Sequence, residues 1–292
     1  MPSITCPRLF IASLVLPLLV LAKEPASDHG PKPEAGKSER RTPKPDTAFA
    51  TAATWDDGQS EILAYTVTRS SPDTEFRCDG HLATERLYLN ADGLVARKRG
   101  GKSDQEILNA ALTLAWKEDG VPRSVETVVE MSRRAPFSLL RQEQSMQSWP
   151  SVTYRSLDCR VTPPRMRALS SGGEAAVDRP LEKWPVYTEE MLFTYLRALP
   201  QRAGYREEVW MLDAGVEGRL STKVQYAAIT VRSQAAGIRD MDTWYVTIDR
   251  DDGRRSEFWV ALAGLHPVVM AILVDRSVWT LQGIDRRKYH TW

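Results

Sequence analysis

From Trp55 onward the chain reads as a succession of strands. Residues 62–68 are β-branched and aromatic and run into the turn-prone Ser70, Ser71, Pro72 and Asp73. Residues 86–89 and 94–97 flank Asn90, Ala91, Asp92 and Gly93 in the manner of a hairpin. Leu112, Leu114 and Trp116 alternate with Thr113, Ala115 and Lys117, and residues 125–131 return as a partner strand after Glu118, Asp119 and Gly120. Just ahead of that pair, Ser103, Asp104, Gln105 and Glu106 have the form of a capping box. It predicts a short helical turn through Ile107 and Leu108 before the strand begins near Ala111. Residues 163–185 read as a connection, opened by Pro163 and Pro164, centred on Ser170, Ser171, Gly172 and Gly173, and closed by Pro180 and Pro185.

The period then changes. Met191, Leu192, Tyr195, Leu196 and Leu199 form one apolar stripe at helical spacing. Thr188 suits the N-cap, Glu189 and Glu190 suit the positive end of the dipole, and Pro200 lies just past the end. This helix, near 188–199, is predicted to lay its stripe on a sheet. Strands resume at 209–212, 224–231, 244–248, 258–262, 268–274 and 278–281, with Arg250, Asp251, Asp252 and Gly253 as one of the turns. Short turns join neighbours, so an antiparallel meander is predicted. Large aromatics on both faces imply a sheet covered on one side and lining something on the other.

Residues 1–22 have the layout of an export signal. Arg8 supplies the basic region, residues 9–21 are an apolar run of 13, and Val20 and Ala22 place modest side chains at −3 and −1. A membrane span needs roughly 20 apolar residues, and Pro17 interrupts this run. Cleavage after Ala22 and a periplasmic location are the expectation, without a lipid anchor, because no Cys follows the cleavage site. In residues 23–53, Pro25, Pro31, Pro33, Pro43 and Pro45 alternate with charged and small residues, and Phe49 is the sole large apolar side chain. Such a stretch cannot bury enough surface to offset its ordering entropy, so it reads as a disordered Pro-rich tether. The remainder divides into a strand-rich half, 54–180, and a helix with its β-meander, 181–292.

Charge and cysteines change the picture further. Of the formal charge of +1, Arg8 contributes +1 and the tether, with six Lys/Arg and five Asp/Glu, another +1, which leaves the body from Thr54 onward at −1. That balance gives no long-range field for nucleic acid or an anionic membrane, so any membrane association is expected to be transient. Cleavage removes Cys6 and leaves Cys78 and Cys159, and two thiols in an oxidising compartment are expected to form one disulfide. No Cys-x-x-Cys spacing marks them as a redox pair. His81 lies near Cys78, but Cys159 brings no second close ligand for zinc.

Motifs for chemistry are sparse. There is no Gly-x-Ser-x-Gly elbow, no phosphate-cradling loop and no Rossmann fingerprint. Asp79, His81 and Glu85 share a stretch, but their spacing is unspecific and solvation accounts for them. Asp249, Asp251 and Asp252 fail the alternation of a calcium loop because Gly253 comes one residue early, so a hairpin turn is the better reading. Arg133 and Arg134, Arg165 and Arg167, and Arg286, Arg287 and Lys288 read as solvated edge-strand positions. The expectation is a protein without catalytic residues, metal site or cofactor.

Residues 192–200, reading Leu-Phe-Thr-Tyr-Leu-Arg-Ala-Leu-Pro, are followed by a Gly, a meander and an aromatic-rich terminal hairpin. This segment, over roughly 185–289, resembles a family of Gram-negative periplasmic proteins of unknown function with a "YLR-x-LP" helix, distantly similar to the LolA/LolB lipoprotein carriers. The resemblance implies a mainly β fold, a curved antiparallel sheet or half-barrel with one packing helix near 188–199, and transfers no site. The long Pro-rich spacer and the Cys pair depart from the carriers.

Of the nine tryptophans, Trp210, Trp244, Trp259 and Trp279 fall in four of the predicted strands that follow the helix. They either pack a core or line an apolar groove for an acyl chain. The leading expectation is a non-enzymatic periplasmic binding or carrier protein for a lipid, lipoprotein or other hydrophobic envelope component. The alternative is an envelope scaffold or interaction protein with a filled core, no ligand and an envelope protein as partner.

Overall fold

Alternation with a period of two is realised, among the described residues, by sixteen strands joined in one sheet. The computed structural model describes residues 59–71, 74–118, 121–133, 137–148, 151–170, 177–212, 223–262 and 264–287. The export signal, Cys6 and the Pro-rich tether lie outside these. The first strands are β1 (Ser60–Ser71), β2 (Thr74–Leu89), β3 (Val95–Ala96), β4 (Gln105–Glu118) and β5 (Val121–Ser132). β6 (Leu139–Ser148), β7 (Ser151–Asp158), β8 (Arg165–Ser170), β9 (Val177–Pro180) and β10 (Val186–Tyr187) follow. The helix α1 (Glu189–Tyr195) runs on into a 3₁₀ turn, Leu196–Ala198. The chain then forms β11 (Arg206–Leu212), β12 (Val224–Ile238), β13 (Met241–Arg250), β14 (Arg255–Ala261), β15 (Val268–Ile272) and β16 (Ser277–Arg287).

Strands adjacent in sequence pair antiparallel almost throughout, as short turns require. Three pairings depart from a plain meander. β2 pairs with β4, past the two-residue β3, which joins β2 alone. β16 returns to pair with β1, with Trp279 opposite Val67, so the two halves of the chain are halves of one sheet. β10 lies parallel to β11. The two edges of the sheet are therefore β9 and β10, consecutive in the chain, and no ladder joins them among the described residues. The fold is mainly β, a curled sheet that stops short of closure.

One face of the curl is its interior. Val246, Phe258, Ala271, Trp279, Val67 and Cys78 sit opposite one another on successive strands and are all buried, which defines one interior row. Leu108 and Met131, with Ala110 and Val129, continue the same face into the other half. Each fully buried Val, Leu, Phe or Met among them contributes about 1.5–3 kcal/mol.

The structure corrects two sequence expectations. Residues 105–108 are strand, not a helical turn. Asp104 is spent behind them, accepting from the Gly100 and Gly101 amides at 2.7 and 3.0 Å, while Ile107 pairs with Leu87 on one side and Ser132 on the other. The 163–185 connection contains the β8–β9 hairpin, in which Met166 and Ala168 point inward between the exposed Arg165, Arg167 and Leu169.

Candidate functional site

The stripe on α1 is buried as its spacing predicts, but so is the rest of the helix apart from the half-buried Glu190. Glu189, Phe193, Thr194 and Arg197 are as inaccessible as Met191, Leu192 and Tyr195. The sheet wraps around α1, which touches strands spread over its whole width. Phe193 sets its ring against Tyr65, Phe258 and Trp279 at centroid distances of 5.6, 5.7 and 5.0 Å. These come from β1, β14 and β16. Edge-to-face packing of this kind adds about 0.5–1.5 kcal/mol per pair beyond burial. Gly80 on β2 keeps room for this cluster, since a Cβ there would stand 3.0 Å from Leu114 and 3.2 Å from Trp279.

The polar groups of the helix are held by partners from the wall. Arg197 donates to both carboxylate oxygens of Glu61, at 2.6 and 3.2 Å, and to the Leu265 carbonyl at 2.9 and 3.1 Å. Glu189 accepts from Ser256 Oγ at 2.5 Å and from Arg250 Nη2 at 3.0 Å, and burial nevertheless raises its pKa. Tyr195 donates to Glu207 at 2.8 Å, and burial pushes its phenol well above the ordinary range. Thr188 takes the extended backbone of an N-cap but makes no capping bond; its buried Oγ1 has no partner.

Towards β6 and β7 the fit is looser. Glu190 accepts from Gln144 at 3.1 Å and Gln142 at 3.4 Å, and Arg155 Nη2 lies 3.6 Å away. Arg155 is 2% exposed, yet its Nε and Nη1 have no hydrogen-bond partner, and neither has Gln142 Oε1. A buried guanidinium with unfilled donors is costly. A cleft with about 10 Å³ of water-sized space lies beside Glu61, Thr84 and Arg286, room for a single water.

The four tryptophans do not meet in one groove. Trp244 shares the interior face with Val246 and Ile248, and Trp279 packs beneath α1. Trp210 projects from the opposite side of its strand to Val209 and Met211, onto Tyr226 at 6.0 Å, with Lys183 Nζ 5.2 Å from its ring. Trp259 likewise points away from Phe258 and Val260, onto Tyr245 at 5.1 Å.

No protein-family model matches the chain, and no curated protein matches it. Among solved structures it is similar to a β-barrel-like protein of a domain of unknown function, DUF1849, from Brucella abortus. That likeness has 14% sequence identity and a TM-score of 0.39, covering 80% of this chain and 99% of the other.

The cysteine expectation is overturned: Cys78 and Cys159 are free thiols. Cys78 lies one step past Asp79, which pairs with Ala115, so it stands level with Trp116 on β4. Following the ladders from Asp158 through Arg141, Glu130 and Asn109 places Cys159 level with Leu108. Eight residues of strand, about 26 Å at ~3.3 Å per residue, separate those levels. A disulfide tolerates about 7 Å between Cα atoms. Burial pushes the thiols up to about 11 and about 12.

Asp79, His81 and Glu85 alternate along one face of β2 without converging, and Glu85 is engaged by Asn109 at 3.3 Å and Arg97 at 3.7 Å. Among the described residues no group of three metal-ligating side chains assembles. Gly253, at φ +82°, closes the turn at Asp251 and Asp252 by donating to the Arg250 carbonyl at 3.0 Å. Sequence reasoning missed the interior polar group of Gln142, Gln144, Arg155 and Glu190. Its residues come from three elements, and only alternation on β6 and β7 hints at their facing. It also missed Arg97, Lys98, Arg99 and Lys102, four cations in six residues, which the charge pattern alone displays.

Proposed function

We propose that the protein is a non-enzymatic interaction protein of the cell envelope, whose interior is filled by its own helix and whose partners engage the outer surface. The observation that carries this reading is the placement of Phe193 among Tyr65, Phe258 and Trp279, where an acyl chain would otherwise lie. The envelope location rests on the export signal read in residues 1–22. Organic extraction of the purified protein followed by mass spectrometry is expected to yield no stoichiometric amphiphile, and crosslinking in cells is expected to capture one recurrent protein partner. A lipid recovered at one per chain would overturn the reading.

The carrier reading stands second, supported by the unfilled donors of Arg155 next to Gln142 and Glu190. A carrier of a lipid, lipoprotein or other hydrophobic envelope component would have to displace α1, offering Arg155 to an anionic head group. Quenching of Trp279 fluorescence by a brominated fatty acid, lost in Arg155→Met, would favour it.

A further inference from the structure

Where Tyr65, Phe258 and Trp279 close on Phe193 the interior is packed, but its β4–β7 side is finished differently. One interior row there runs Leu112, Thr127, Gln144 and Arg155 across the four strands. The next row, two residues along each strand, runs Leu114, Val125, Met146 and Thr153. Leu112, Thr127 and Arg155 are buried, whereas every member of the second row is half-buried. Trp116 follows Leu114 on the same face of β4 and is half-buried too, edge-on to Phe76 at 5.4 Å. Solvent therefore reaches the interior face to within one row of Arg155, over a surface that is mostly apolar.

At that boundary stands a polar group whose bonding is incomplete. Arg155 Nη2 lies 3.6 Å from Glu190 Oε1, and Gln144 donates to the same oxygen and to Thr127 Oγ1, both at 3.1 Å. Arg155 and Gln142 are 2% and 1% exposed, yet Arg155 Nε and Nη1 donate to nothing and Gln142 Oε1 accepts nothing. Buried groups of this kind are costly unless something completes them. Three conditions constrain what does. Arg155 and Glu190 balance each other, so an added anion would leave an uncompensated charge in a poorly solvated place. The occupant must accept from Arg155 and donate to Gln142, as hydroxyls and amides do. It must also turn an apolar face towards Leu114, Met146 and Trp116. A sugar residue bearing an amide meets all three. A peptide carries amides as well, but β4 to β7 are paired on both sides and offer its backbone no partner.

We propose that this side of the interior binds a neutral sugar residue bearing an acetamido group, with the amide between Arg155 and Gln142 and the apolar ring face towards Leu114 and Trp116. The site lies beside α1 and needs no displacement of it, so the proposal goes beyond the filled-interior reading without resting on it. Saturation-transfer NMR on the full chain, with N-acetylglucosamine and with its β-1,4-linked tetramer, tests it. Transfer to the acetyl methyl and ring protons is expected. Equal affinity for the two sugars assigns a free or terminal residue, and tighter binding of the tetramer assigns a glycan chain. Arg155→Met and, separately, Gln142→Leu should each weaken binding at least about tenfold. Trp116→Leu, at a half-buried position that the fold tolerates, should weaken it about fivefold. Trp259→Phe, on the outer face, should change nothing, and urea denaturation midpoints confirm that each variant is folded. Absence of transfer from both sugars, undiminished binding in Trp116→Leu, equal loss in Trp259→Phe, or tighter binding of decanoate or tetra-alanine would each overturn the proposal. Sugar binding leaves the result of organic extraction untouched, so the two readings fail separately.

Discussion

Glu189 carries a carboxylate into the interior, where burial raises its pKa above the usual 4.5 although Arg250 and Ser256 pull the other way. Burial raises Glu130 likewise, against Arg141 and Arg160. A carboxyl whose folded pKa exceeds its unfolded one binds its proton more readily in the native state. Stability is then gained as pH falls through the raised pKa towards the unfolded value, and lost as pH rises through it. Asp158 and Asp249 are shifted down: burial opposes the shift, but bonds from Arg160 to the first and from Arg255 and Thr247 to the second prevail. Bonds from Arg254 lower Asp252. Their contribution is present above the usual 3.8 and disappears as pH falls below it through the lowered values. Stability measured by urea denaturation is therefore expected to rise on mild acidification from neutral pH and to fall again below about 3.8. Glu189→Gln combined with Glu130→Gln should flatten the rising limb and leave the acid limb in place. A monotonic loss from neutral pH downward, identical in that variant, would contradict the assignment.

At the scale of the element, α1 is what distinguishes a filled curl from an open one. Phe193→Ala removes the ring that Tyr65, Phe258 and Trp279 close upon and should cost about 3–5 kcal/mol, read from the shift in denaturation midpoint at constant m-value. A cost below about 1 kcal/mol, the range of surface substitutions, would mean that the helix is not anchored there. The existence of α1 and its apolar stripe was legible in the sequence because helical spacing is local. The burial of nearly all its other residues was not. Arg197 reads as a solvated residue until Glu61, 136 positions away, is seen to pair with it. The choice between core and groove for the strand tryptophans was not legible, for a related reason. Which face a strand residue occupies depends on parity, and bulges between Val231 and Ser233 and between Trp259 and Val260 shift the registers. Strand β8 was hidden because Pro163, Pro164, Gly172 and Gly173 outweigh an alternation only a few residues long.

Across the whole molecule, the pairing of β16 with β1 brings Arg287 opposite Ser60 and carries the sheet back to its beginning. The strands flanking that junction are paired on both sides, whereas β9 and β10, at the two ends of the strand order, each have one neighbour, as does the two-residue β3. β9 is four residues long and ends in Pro180, which has no amide to donate, and β10 spans two residues. Short, Pro-ended strands are a common defence of an exposed edge against pairing with another chain. The backbone hydrogen bonds of β9 lie away from α1, whereas β10 is buried and sets Tyr187 on Tyr195 of α1 at 4.8 Å, and those of β1 open only when the interior row through Val67 and Trp279 separates. Native-state hydrogen exchange should accordingly be fastest in peptides covering β9 and slowest in those covering β1, β2 and β16, where it approaches the global unfolding free energy. Protection in β9 equal to that in β1 would mean that the two edges are covered, by each other or by a second chain, and that the curl is closed in solution. If the expected order is found in dilute protein and disappears on raising its concentration, the edges pair between copies, and their short lengths have not kept them apart.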